Sequence, residues 1–205
     1  MQCRRPHFIH PGLPPHASAR EEEGERPELP DRLTDCLTGR EIPFSNKDNI
    51  RQKTLKLLLE EKDYRKEDFV VDREITFEID DRSVVSMVDL SIAVAGRTLM
   101  IWKCASGSLV SRERQILASA RLLEEYIVPF AAVTNGIDLE FLETSSGNVI
   151  GCGLGSVPSR GELLNNLGVV PFTPVNKKKL ANERRILYTY DAISCPTICD
   201  NPKGR

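Results

Sequence analysis

The chain has 205 residues and a formal net charge of −2. That balance excludes a uniformly basic nucleic-acid binder, so any DNA contact falls to a local, salt-sensitive patch. With 40% hydrophobic and 28% charged residues, the composition is that of one globular domain with tails, and no apolar run approaches the ~18 residues of a membrane span.

The N-terminus, MQCRRPHFIHPGLPPH, carries arginines but no apolar stretch behind them. A secretory signal is not expected there, and the expected compartment is the cytoplasm. Residues 1–45 hold seven of the thirteen prolines, all three histidines (His7, His10, His16) and the acidic run EEEGE. Such a segment offers little to a core and is expected to be a mostly disordered leader. Within it, LTGREIPF (37–44) is expected to pack as a short anchor.

Order is expected from Asn46. In NKDNIRQKTLKLLLEEKDY, Ile50, Thr54, Leu57 and Leu58 fall at i, i+4, i+7 and i+8, which predicts an amphipathic helix with Asn46 as N-cap. FVVDREITFEID (69–80) alternates as a strand does, VVSMVDLSIAVA (84–95) forms a longer strand, and RTLMIWKCA (97–105) follows a turn at Gly96. The third strand is nearly continuous in apolar residues, which predicts burial on both faces. These three strands predict an antiparallel meander.

ASGSLVSRERQILASARLLEEY then takes a helical period, and PFAAVTNG (129–136) is a short apolar strand ending in a turn. Strand, helix, strand implies a right-handed crossover. IDLEFLETSSGNVIG (137–151) predicts a hairpin turned at Ser146, Gly147 and Asn148. SRGELLNNL predicts a short helix capped by Ser159, and residues 176–193 a final basic helix. Cys104 and Cys152 are expected to be buried free thiols. Cys195 and Cys199 form one C-x3-C pair, and a zinc site at recognisable spacing would need a second. GCGLG (151–155) lacks the strand-to-helix context of a phosphate loop.

One acid and one lysine interrupt the apolar strands: Asp89 in MVDLSI and Lys103 in MIWKC. With the helix and strand of RQKTLKLLLEEKDYRKEDFVVDREI (51–75), the acid in VDLSI (88–92), and RQILASARLLEEYIVPFAAVTNG (114–136), the order resembles the PD-(D/E)XK nuclease superfamily. Within that superfamily it resembles the N-terminal domain of the type I restriction enzyme R subunit, over about residues 40–150. The resemblance implies an α/β fold with a restriction-endonuclease-like core, α-β-β-β-α-β around a mixed central sheet, followed by a C-terminal hairpin and helices. Composition and element order divide the chain into a leader (1–45), the nuclease-like domain (46–150), a helical extension (151–193) and a tail (194–205).

In such nucleases, carboxylates on adjacent strands hold Mg²⁺ or Mn²⁺, the metal acidifies a bound water, and a lysine supports the attack. The resemblance assigns Asp89 to metal binding, Lys103 to the water and Gln115 to supporting the site. The acid expected two residues before the lysine, on the same strand face, is Ile101, which cannot ligate a cation. The tyrosine expected after Gln115 is Ser119.

Three explanations remain open. A carboxylate has migrated, from Glu74 first, or from Glu78, Glu60, Glu61 or Glu113. Alternatively the metal has been lost, leaving a module that binds DNA or a partner protein, with no cofactor. Or Asp89 is an ordinary strand acid. Arg112, Arg114 and Arg121 on the second long helix are the expected phosphate contacts, and no membrane is an expected partner. Lys177, Lys178, Lys179, Arg184 and Arg185 make the last helix basic.

Overall fold

The computed structural model describes residues 30–194. Residues 1–29 and the tail from Cys195, including the C-x3-C pair, lie outside the described residues. A small hairpin comes first, β1 (Arg32–Thr34) with β2 (Glu41–Pro43). Then follow α1 (Asn46–Glu61), β3 (Phe69–Ile79), β4 (Arg82–Val94), β5 (Arg97–Cys104), α2 (Val110–Leu122) and β6 (Phe130–Thr134). The chain continues through β7 (Leu139–Glu143), β8 (Asn148–Cys152), α3 (Arg160–Asn166) and α4 (Lys177–Ser194). Strands β3 to β8 form one six-stranded sheet in chain order. The β5–β6 pair is parallel and the other pairs are antiparallel. The mixed α/β sheet and the order α-β-β-β-α-β, with a hairpin and helices after it, are those expected from the sequence.

Three local details differ from the expectation. Ser45, not Asn46, caps α1: its hydroxyl accepts from the Asp48 amide. Both residues are good caps, and the helix begins one position earlier than its first buried stripe suggests. The stripe itself runs through Ile50, Thr54, Leu55 and Leu58, with Leu57 only half-buried. Residues 31–44, placed in the leader by composition, carry the β1–β2 hairpin. Its turn sets Cys36 and Leu37 against the core, and the Cys36 amide donates to the Gln52 side chain at 2.8 Å. Finally, Cys104 is buried and free, whereas Cys152 lies exposed on the edge strand β8 and is disulfide-bonded.

Two cores cover the sheet. The first gathers Leu55 and Leu58 of α1 with Leu90, Ile92, Val94, Met100 and Trp102. The second gathers Ile116, Ala118 and Ala120 of α2 and Leu187 of α4 with Ile75, Phe77, Val88 and Ile101. One strand pair serves both in an unusual way. Odd positions of β3 enter the first core at Phe69 and Val71 and the second at Ile75 and Phe77. Even positions of β4 do the same, Val88 in the second core and Leu90 and Ile92 in the first. The switch falls between Val71 and Arg73, where Asp72 has φ 48°. One left-handed residue rotates the strand that follows, so a side-chain parity that faced one way now faces the other.

Candidate functional site

The ladder pairs Val71 with Leu90 and Arg73 with Val88, which sets Asp72 across from Asp89. On the other side of β4, Leu90 pairs with Trp102, which brings Lys103 level with Asp89. Three neighbouring strands therefore present an acid, an acid and a lysine at one height. The first two turns of α1 add Lys47, Asp48 and Arg51 to this group.

Asp89 is 1% exposed and fully engaged. One carboxylate oxygen accepts from Lys103 Nζ at 3.3 Å and lies 3.7 Å from Lys47 Nζ. The other accepts from the Cys104 backbone amide at 2.8 Å. Asp72 accepts from Lys47 at 3.2 Å and from Arg51 at 2.6 Å, while the second arm of Arg51 meets Asp48 at 2.6 Å. Three acids and three bases thus form one internally neutral network. Burial works against the Asp72 carboxylate, but the Arg51 hydrogen bond and charge, with Lys47 behind them, hold its pKa below the ordinary value. Burial likewise opposes the Lys47 ammonium, and Asp89 and then Asp72 overcome it, raising its pKa. Burial, aided by Asp89, pushes the Cys104 thiol up to about 12, so this cysteine is no nucleophile at neutral pH.

The other expected residues fall elsewhere. Glu74 is exposed on β3, paired with Met87, two residues past Asp72. Glu78 is exposed opposite Ser83, and Glu60 and Glu61 are exposed at the far end of α1. Gln115 is buried and donates to Asp191 of α4 at 3.1 Å. At the neighbouring signature position, Ser119 donates to the Gln115 carbonyl. Arg121 is drawn inward, donating to Glu183 of α4 at 3.0 Å and to the Thr144 carbonyl at 2.9 Å. Arg114 is exposed, Arg112 and Glu113 are half-buried.

Sequence reading missed Asp72, Lys47 and Arg51. The signal for Asp72 was present, since an Asp inside FVVDREI is an acid in an otherwise strand-favouring run. Lys47, Asp48 and Arg51 fall within the first six residues after the Ser45 cap, so they share the N-terminal end of the helix.

A divalent ion would need several oxygen ligands at one point. Here Ile101 is fully buried in the second core, and both nearby carboxylates already hold cations. Among the described residues no group of three His, Cys, Asp or Glu side chains is placed to hold a metal. The residues present do not fit the Mg²⁺ of the nuclease scheme. The T-N-G stretch has a structural use. Thr134 accepts from the Gly136 amide, Asn135 accepts from the Ile137 and Asp138 amides, and Gly136 takes φ 87° under Ile50 of α1.

No curated protein sequence matches the chain. Among solved structures, protein VC1899 from Vibrio cholerae overlays with a TM-score of 0.30 at 11% identity, over 78% of this chain and 39% of that one. The family model for the type I restriction enzyme R protein N terminus (HSDR_N) matches residues 46–158, from the first turn of α1 to beyond β8. That span is more than half of the chain and contains the whole Asp72–Asp89–Lys103 network, and the chain belongs to this family.

Proposed function

We propose that this domain is a DNA-contacting module of the nuclease lineage that does not cleave. The observation that carries the reading is Asp89. The acid that matches the metal ligand of the lineage spends its carboxylate on Lys47, Lys103 and the Cys104 amide. A buried ion network satisfied in this way is a structural element, costly to open. Ile101, where a second acid would stand, is core.

Support for DNA as the partner comes from the α2–α4 face. Arg114 and Arg185 border one groove with Tyr190, and Lys177, Lys178 and Lys179 are exposed at the start of α4. In a chain of net charge −2, this is a local basic strip of the kind that meets phosphates.

The test has two parts. Supercoiled plasmid is incubated with the protein and Mg²⁺ or Mn²⁺, beside Asp89→Ala and Lys103→Ala. No nicking by any of the three is expected. Metal-dependent nicking by the wild type that both substitutions abolish would overturn the reading. Anisotropy of a labelled duplex is then followed across a salt series. Binding should weaken steeply with salt, and Arg114→Ala with Arg185→Ala should lower the slope of log K against log salt by about 2. Binding absent at low salt would leave the fold as a protein-binding module.

A further inference from the structure

We infer that Lys47 is a tethered substitute for a divalent cation, and that its ammonium fills a latent metal site made by Asp72 and Asp89. The inference rests on the reading above, that the natural domain works without metal.

Two acids across from each other on adjacent antiparallel strands repel, and burial makes the repulsion worse. Such a pair persists only with a positive charge between them. Lys47 Nζ provides it, 3.2 Å from Asp72 and 3.7 Å from Asp89. Asp72 reaches this position through a left-handed backbone, φ 48°, which a non-glycine residue takes up only where its surroundings hold it. Lys103 pairs with Asp89, and Arg51 with Asp72 and Asp48. Among these three cations, Lys47 is the one ion-paired with both Asp72 and Asp89.

The charge balance leaves the natural site no net negative charge to draw in an ion. Asp48, Asp72 and Asp89 are matched by Lys47, Arg51 and Lys103. A divalent cation entering that set would be repelled, and the ammonium occupies its place. Removing Lys47 leaves the carboxylate pair with a net negative charge. Lys47→Glu goes further. Glutamate is one bond shorter than lysine, so its carboxylate oxygens end just short of the former ammonium, facing the same two acids. Asp72, Asp89 and the introduced acid would then offer three oxygen donors to one point.

The experiment uses the full chain as wild type, Lys47→Ala, Lys47→Glu, and Lys47→Glu combined with Asp72→Asn. Mn²⁺ is titrated in, and loss of the free-ion electron paramagnetic resonance signal reports binding. Circular dichroism confirms folding. Lys47→Glu is expected to bind one Mn²⁺ at least about tenfold more tightly than wild type, Lys47→Ala to fall between them, and Asp72→Asn to abolish the gain. Lys47 is nearly half exposed, and should Lys47→Glu fail to fold, Lys47→Ala still decides the question. Wild type binding Mn²⁺ as tightly as both variants, or a folded variant gaining nothing, overturns the inference. So does a gain that Asp72→Asn leaves intact. The plasmid assay on wild type stands apart. Nicking there sinks the non-cleaving reading, whereas an inert wild type with Lys47 variants blind to Mn²⁺ sinks this inference alone.

Discussion

Asp89 has its own consequence for stability. Its carboxylate is buried and shared among two lysines and one backbone amide. Asp89→Ala strips the partner from Lys103 and the Cys104 N–H at once, and should cost about 3–5 kcal/mol in urea unfolding. Asp89→Asn keeps an acceptor for the amide and should cost less. Its neighbour Asp72 sets the acid limit. Its folded pKa lies below the ordinary 3.8. The stabilisation it supplies is therefore fully present above that value and lost as pH falls through the lower folded value. Lys47 acts at the other end. Its folded pKa lies above 10.5, so its contribution is full below that value and fades as pH rises through the folded one. Thermal melts from pH 2 to 6 should show a steeper acid decline in wild type than in Asp72→Asn. Restoring the missing acid directly should fail: Ile101→Glu places a carboxylate among Ile116, Ala131 and Val133. We expect a loss of several kcal/mol, about the cost of an unpaired buried charge, read by calorimetry.

At the level of elements, the meander, the α2 crossover and the β7–β8 hairpin were legible because each keeps its own period, two for strands and 3.6 for helices. The face switch was not. Phe69, Val71, Ile75 and Phe77 all sit on odd positions of β3, so alternation reads them as one face. Only the φ of Asp72 divides them between two cores. The β1–β2 hairpin was hidden for a different reason, since three-residue strands among prolines and charges carry too few apolar positions to show a period. The site was half legible. Asp89 and Lys103 stood out as charges in apolar runs. Asp72 did not: the acid expected from β3 was Glu74, two residues further along the same strand, where it is exposed. The T-N-G turn shows how a family-like motif can serve packing. Gly136 holds φ 87°, and a Cβ there would stand 3.3 Å from Ile50. Gly136→Ala should cost about 1–2 kcal/mol through strain at positive φ and crowding of α1, measured as a shift in the denaturation midpoint.

For the molecule as a whole, the decisive fact is that both cores share one sheet. The α1 core and the α2–α4 core meet at adjacent residues of β3, β4 and β5, so neither can melt while the other stays packed. Leu55→Ala in the first and Leu187→Ala in the second should each cost about 2–5 kcal/mol. Both residues are fully buried. Each variant should still unfold in a single calorimetric transition, with no intermediate retaining one core. A biphasic melt in either would show the two layers to be separable. Helix α4 belongs to this unit although it lies beyond the span matched by the family, since it buries Leu187 and ties Glu183 to Arg121 and Asp191 to Gln115. Among the described residues no helix is long and apolar enough to cross a membrane.

The crossing at Asp72 and Asp89 also governs how this sheet tolerates insertion and deletion. In an ordinary strand one added residue exchanges inside for outside along the entire length beyond it. Here the β3–β4 ribbon is two short hairpin halves, each with its own inside, joined at a pair of acids. An extra residue between Arg73 and Ile75 would turn Ile75 and Phe77 out of their core while Phe69 and Val71 stayed in theirs. The ribbon can therefore lengthen or shorten safely only at its open ends, at the β3–β4 turn or before Phe69.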